Sequence, residues 1–395
     1  MPGSDTLYPT KYYPFLDGLR ALSIIWVISH HILVFFDPSA LGKPWFIPVL
    51  LYAKMGMLGV DMFFVISGFL ITGLLLNDLE NKVRLKRFYL RRMFKIIPSY
   101  LLAVLGGLLV LHFYHETTVY NYGIKDFNDG TVHFFRGKSI IKANWSLVSN
   151  YLLFIQNYKR HLFTLAHTWS IAVEEHFYLG YPLILWGITA FIKKISHRRI
   201  ALVLILLLLT AEVYYYRFWC IANMFNPPFQ TTLFRIDALI FGCLLRIFEP
   251  AMLKLFSGKK FPYSLMALFI GLAFYCSLFL ASYINYSYTQ RPSTITLYYY
   301  AAYYLAPGFV IISALLGFKP LLAVLQNKFL IGIGKQSYGT YLWHYVLILP
   351  FISLQKWVPS PVVICLYFGC SLLVGFLSTI TVERYFLNLR RKWAP

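Results

Sequence analysis

Apolar stretches long enough to cross a bilayer recur along the whole chain, separated by shorter polar segments. A spanning helix needs about 20 mostly apolar residues. Stretches of that kind occupy residues 15–36, 56–76, 96–114, 169–192, 200–218, 233–249, 262–285, 295–318, 337–354 and 361–383. A further apolar segment, 144–156, is too brief to cross untilted and reads as re-entrant or interfacial. The pattern predicts an all-α polytopic membrane protein with about ten transmembrane helices. A single membrane domain accounts for residues 1–395.

Composition agrees. Of 395 residues, 59% are hydrophobic and only 13% charged, against roughly a quarter charged in a soluble domain. So small a polar stock cannot cover a water-facing surface, and disorder, coiled coil and a disulfide scaffold are excluded by the same numbers. The net charge is +21, from 36 Lys and Arg against 15 Asp and Glu. In a soluble chain that balance would suggest nucleic acid. Here the basic residues lie mostly between apolar runs, where positive charge holds loops on the cytoplasmic side, so no nucleic-acid partner is expected. The basic clusters at 82–95, 193–199, 246–260, 319–335 and 384–392 place both termini in the cytoplasm. The long 115–168 stretch then lies outside, and the chain is multi-pass in the cytoplasmic (inner) membrane, with membrane lipids as its surroundings. The five cysteines fall in or beside apolar runs without metal-ligand spacing, so no metal is expected. No cleavable signal is evident, since the first run carries Asp17, Arg20, His30 and His31.

Ionisable groups inside a membrane cost several kcal/mol unless they are paired or face a cavity, and they point to chemistry. Arg20 and His31 are eleven residues apart, about three turns, so they share one helix face at depths roughly 16 Å apart. Asp17 sits three residues before Arg20 and can pair with it. This is the pattern of an anion anchor with a proton acceptor deeper in. The alternative is a helix-packing histidine and a snorkelling arginine. In the second run, small residues at 59, 67, 68 and 73 allow either close helix approach or room for a ligand. The basic run Lys82–Lys95, with Arg87, Arg91 and Arg92, suits either interfacial anchoring or phosphate groups. His167, Ser170 and Glu174 share a face, and Glu174 beside Glu175 makes an expensive acidic pair that needs a partner or a proton. Arg235 and Asp237, two residues apart, point to different faces and so must pair with other helices. Tyr341 and His344 stand at helical spacing, and Glu383-Arg384 reads as an interfacial pair.

Five segments also carry a resemblance. Phe15-Leu-Asp-Gly-Leu-Arg20 through His31 resembles the first-helix arginine-x10-histidine signature of acyltransferase family 3, the integral membrane O-acyltransferases. Gly59-Val-Asp-Met-Phe-Phe-Val-Ile-Ser-Gly-Phe-Leu resembles that family's second-helix motif. His167-Thr-Trp-Ser-Ile-Ala-Val-Glu-Glu-His-Phe-Tyr is similar to H-x-W-S-L-x-V-E-E-Q-F-Y, with His176 in place of the usual Gln. Ser337-Tyr-Gly-Thr-Tyr-Leu-Trp-His and Val382-Glu-Arg also fit, so the similarity runs over residues 11–392.

The resemblance implies an acyl group, most simply acetyl, taken from cytoplasmic acyl-coenzyme A, with no permanently bound cofactor. It implies a hydroxyl acceptor on a cell-surface glycan or lipid-linked sugar. The chain would resemble stand-alone members that lack a soluble hydrolase-like domain. In that picture His31 is a general base or a covalent acyl carrier, with Asp17, Arg20, His167, Glu174 and Glu175 supporting catalysis. Arg20, Ser67, Arg87, Arg91 and Arg92 would hold the donor, and Trp169, Ser170, Tyr178, Arg235, Asp237, Tyr341 and His344 would serve the acceptor. A transporter or flippase of a glycan or lipid-linked sugar is the competing expectation. The oligomeric state is left open.

Overall fold

The structure, a computed structural model, describes residues 12–35, 56–80, 84–113, 120–125, 133–138, 145–159, 162–223, 230–284 and 294–393. Helix α1 runs Pro14–Phe35, α2 Met57–Glu80 and α3 Leu85–Phe113. Strands β1 (Tyr120–Lys125) and β2 (His133–Lys138) form an antiparallel hairpin with Tyr120 opposite Lys138. Then come α4 (Trp145–Leu152), two 3-10 turns at Gln156–Tyr158 and Phe163–Thr168, α5 (Trp169–Phe191), α6 (Ile195–Ala222) and α7 (Thr232–Leu255). The remainder is α8 (Lys260–Ile284), α9 (Thr294–Leu315), α10 (Lys319–Leu325), α11 (Lys328–Lys335), α12 (Ser337–Val346), α13 (Ile348–Leu354) and α14 (Ser360–Ser378). A π turn, Thr379–Glu383, joins α14 to α15 (Arg384–Trp393). The all-α expectation therefore holds for everything described except the hairpin. The hairpin lies within residues 120–138, where no apolar run forces a helix.

Six described helices are long and apolar enough to cross a membrane: Pro14–Leu33, Met57–Leu76, Leu85–Phe113, Ile195–Ala222, Lys260–Leu280 and the continuous Ser360–Lys392. Leu297–Leu315 with Lys319–Leu325, bent by 107°, makes a seventh if it counts as one span. Of the ten expected spans, three fall outside this count, and each carries the polar residues singled out above. α5 holds Glu174 and Glu175, α7 holds Arg235, Asp237, Arg246 and Glu249, and the 337–354 run is divided into α12 and α13 around Leu347. Protein, not lipid, covers these polar faces: Arg235, Asp237, Arg246, Glu249 and His344 are all buried.

α2 is the central helix and α6 belongs to the rim, where Leu204, Leu207, Leu208 and Phe218 are exposed. The glycines of α2 settle the choice left open between packing and ligand room. A Cβ on Gly68 would come within 1.9 Å of the Leu239 carbonyl oxygen, and one on Gly242 within 2.1 Å of the Val65 carbonyl oxygen. α2 and α7 thus meet backbone to backbone at both glycines, as small residues permit. A similar approach seats α1 against α10 and α11. A Cβ on Gly18 would lie 1.9 Å from the Leu325 carbonyl oxygen, and one on Gly334 lies equally close to that of Asp17.

Ion pairs cross-link the helices. Arg217 of α6 holds Asp237 of α7 through two bonds of 2.8 and 2.9 Å, and Arg235 of α7 holds Asp61 of α2. Arg246 pairs with Glu249, and Tyr13 donates to Glu249 at 2.6 Å. The re-entrant or interfacial segment becomes the eight-residue α4. Its exit turns at Phe154, which has φ 56° and stacks on Tyr100 at 4.7 Å. Tyr100 donates to the Tyr151 carbonyl, and Gln156 donates to Tyr100, so this loop is tied to α3.

Candidate active site

α1, α2, α3, α5 and α12 line a cavity of about 880 Å³ including its open mouth. Its cations are Arg20, Arg92 and Lys95, and its acids are Glu174 and Glu175. α2 contributes Ser67 together with Val60, Phe63, Phe64 and Leu70, and α12 contributes Tyr338 and Tyr341.

Hydrogen bonds order the wall. Ser67 Oγ donates to Glu174 Oε1 at 2.8 Å, and Tyr178 Oη donates to Glu174 Oε2 at 3.1 Å. The Arg92 guanidinium lies 4.5 Å from the centre of the Tyr178 ring, a cation-π distance. Glu175 Oε1 is buried and has no hydrogen-bond partner among the described residues. Further along α5, Tyr341 Oη donates to the His167 carbonyl at 2.9 Å and so accepts from Ser170 Oγ at 2.6 Å. Arg20 has Asp17 at 3.8 Å, and Asp17 accepts from Tyr12 at 2.6 Å.

Beyond Tyr341 stand three histidines. His344 Nδ1 lies 2.6 Å from the Tyr341 carbonyl, which can only accept, so this nitrogen carries hydrogen. A neutral His344 then presents a lone pair at Nε2, which lies 3.0 Å from His31 Nδ1. His31 must therefore donate from Nδ1, and its Nε2 is left with a lone pair. His167 Nε2 donates to the Leu342 carbonyl at 3.1 Å, and its ring stacks on Tyr345. His167 Nδ1 has no partner among the described residues. The result is a proton acceptor at His31 whose tautomer is set by a second histidine, the arrangement an activated base requires. No group of three or more His, Cys, Asp or Glu among the described residues could hold a metal.

The expected site residues divide accordingly. Arg20, Ser67, Arg92, Ser170, Glu174, Glu175, Tyr178 and Tyr341 line the cavity. His31 and His167 stand behind Tyr341, whose ring lies 5.3 Å from that of His167 and 5.4 Å from that of His344. His31 itself is not among the lining residues, and Tyr341 is common to the cavity wall and to the histidine cluster. His344, expected to serve the acceptor, instead holds His31. Arg87 and Arg91 lie outside the cavity wall, with Arg87 exposed. Trp169, Arg235 and Asp237 also lie outside the cavity wall. Trp169 is buried against Phe64 and the Arg235 guanidinium, and the two charged residues are consumed by ion pairs to other helices, as their spacing required.

Two residues were missed. Lys95 lies in the basic run that suits either anchoring or phosphate groups but was not singled out within it, and its place three residues after Arg92 puts it on the same face, inside the cavity. Glu383 reads from the sequence as half of an interfacial pair. It is 6% exposed, accepts from Thr379 and lies within electrostatic reach of Lys95 and Arg20. The π turn, with its extra residue, rotates it away from the face that α14 alone would give.

A family model described as an acyltransferase domain matches residues 13–380. The chain belongs to acyltransferase family 3. Among similar proteins is the O-acetyltransferase OatA of Staphylococcus aureus (strain NCTC 8325), 28% identical over 98% of this chain and 59% of its own. Another is SACOL0978 of Staphylococcus aureus (strain COL), provisionally named an O-acetyltransferase, 30% identical over 86% of this chain and 51% of its own. The chain therefore spans little more than half the length of these relatives. No solved structure matches it.

Proposed function

We propose that this membrane domain moves an acyl group, most simply acetyl, from acyl-coenzyme A to a hydroxyl of a glycan or other sugar-containing acceptor. The observation that carries the proposal is the cationic cavity whose far wall, Tyr341, is shared with a histidine cluster that leaves His31 Nε2 free to accept a proton. The names of the O-acetyltransferase relatives support the same reaction. Arg20, Arg92 and Lys95 would neutralise the donor's phosphates, Arg by planar bidentate contacts and Lys as a point charge. The cationic end would face the cytoplasm, together with both termini.

In the transfer, His31 Nε2 takes the proton of the acceptor hydroxyl as its oxygen attacks the thioester carbonyl. The carbon–sulfur bond breaks, and the departing thiolate takes a proton back. An acyl-histidine intermediate would use the same Nε2 lone pair. Wild-type protein in vesicles, supplied with labelled acetyl-coenzyme A and native glycan, is expected to transfer label, and His31→Ala to lose about 10²–10⁴-fold of that rate. Unchanged transfer by His31→Ala would remove the base. Translocation of acceptor without any transfer by wild type would favour a transporter.

A further inference from the structure

The cavity wall changes its chemistry in a definite order. At one end Arg92 lies on Tyr178, with Lys95 and Arg20 in the same wall. In the middle, Ser67 and Tyr178 converge on Glu174, beside the unpartnered oxygen of Glu175. At the other end the wall is mostly apolar, Val60, Phe63, Phe64 and Ile171 beside Ser170, closed by Tyr341. From Leu70 to Val60 on α2 is ten residues, about 15 Å of helix.

An acyl-coenzyme A arm has the same order: phosphates, then two amides, then a thioester and an apolar chain. Laid along the cavity with phosphates on the cations, the arm sets its acyl group at the apolar end. Three side chains close that end, and they are not equally fixed. Phe64 is 1% exposed and lies edge-on to Trp169 at 6.1 Å. Tyr341 is held by two hydrogen bonds, to Ser170 and the His167 carbonyl. Phe63 is only half-buried, and its ring meets Tyr341 edge-on at 6.2 Å.

We propose that Phe63 is the specificity-determining residue for acyl chain length, its ring against Tyr341 ending the pocket after a short chain. The proposal rests on the acyltransferase reading above. Each added methylene that finds no room forfeits its burial and forces the wall aside, so selectivity against a four-carbon chain is on the order of tenfold or more.

The test compares acetyl-, propionyl-, butyryl- and hexanoyl-coenzyme A by two readouts. One is transfer of labelled acyl groups in membranes that carry the native acceptor, and the other is stabilisation of the purified protein in detergent against heat. Wild type is expected to prefer acetyl over butyryl about tenfold. Phe63→Ala should raise the butyryl-to-acetyl ratio at least tenfold, and Phe63→Leu should fall between the two. Leu74→Ala, at an exposed position of the same helix (52% exposed), should leave the ratio unchanged. A wild type indifferent to chain length, or ratios unmoved in both Phe63 variants while acetyl transfer persists, would overturn the proposal. Should Phe63→Ala fail to fold, Phe63→Leu decides. Neither transfer nor stabilisation by any of the four donors with wild type would instead sink the acyltransferase reading.

Discussion

The two ring nitrogens of His31 have separate tasks, and His344 is what separates them. Its Nε2 accepts from His31 Nδ1, while its own Nδ1 hydrogen is committed to the Tyr341 carbonyl. A substitution that keeps an acceptor at position 344 should preserve much of the activity, and one that removes it should not. His344→Leu is expected to lower kcat by about 10²-fold with little change in KM for the donor, and His344→Gln to recover part of it. Steady-state kinetics on both variants checks this, and equal loss in the two would mean that His344 only fills space. The polar residues themselves were legible in the sequence, because each stands out against an apolar run where charge is costly. Their partners were not. Helical spacing says which side chains share a face of one helix, and it is silent on a contact such as His31 with His344, 313 residues apart. Arg217 shows the same limit of helical spacing. Among the aromatic residues ending α6 it resembles an interfacial arginine, yet it is 1% exposed and grips Asp237.

At the level of elements, six or seven of the ten apolar runs form described helices long and apolar enough to cross a membrane, the cavity-lining α1, α2 and α3 among them, while α5, α7 and α12 do not. α5 carries two adjacent acids, α7 carries buried charges and α12 is only ten residues long, so all three fall outside a membrane-span count based on length and composition. The α2–α7 contact shows how such helices are held. Without a hydrophobic drive between helices in lipid, close backbone approach must supply the association. A methyl group at Gly68 or Gly242 would land within about 2 Å of a carbonyl oxygen. Gly68→Ala and Gly242→Ala are each expected to cost about 1–3 kcal/mol, read as a lowered unfolding temperature in detergent. Gly187→Ala on α5 meets nothing within 4 Å and should leave stability unchanged or slightly raised. Equal effects at all three positions would show that the α2–α7 contact is not a tight one.

Over the whole molecule, charge is used in two ways. The ion pairs Arg217–Asp237 and Arg235–Asp61 fasten the bundle, whereas Arg20, Arg92 and Lys95 are gathered at the cavity. Breaking a buried pair on one side leaves an unmatched charge. Asp237→Asn is therefore expected to cost about 3–5 kcal/mol, and replacing Arg217 and Asp237 together by apolar residues to cost much less. Thermal unfolding of the single and double variants decides, and a double variant as unstable as the single would overturn that account. The seat of α1 has a mechanical consequence. Leu325 and Gly334 press backbone to backbone on the Asp17–Gly18 level, one turn from Arg20, and they belong to the segments that follow the 107° bend after α9. The guanidinium that, on the proposed reading, would meet the donor's phosphates is thus positioned by a transverse brace from the last third of the polypeptide. Any tilt of the first helix would have to carry that brace with it, because the two backbones leave no room for even a methyl group between them.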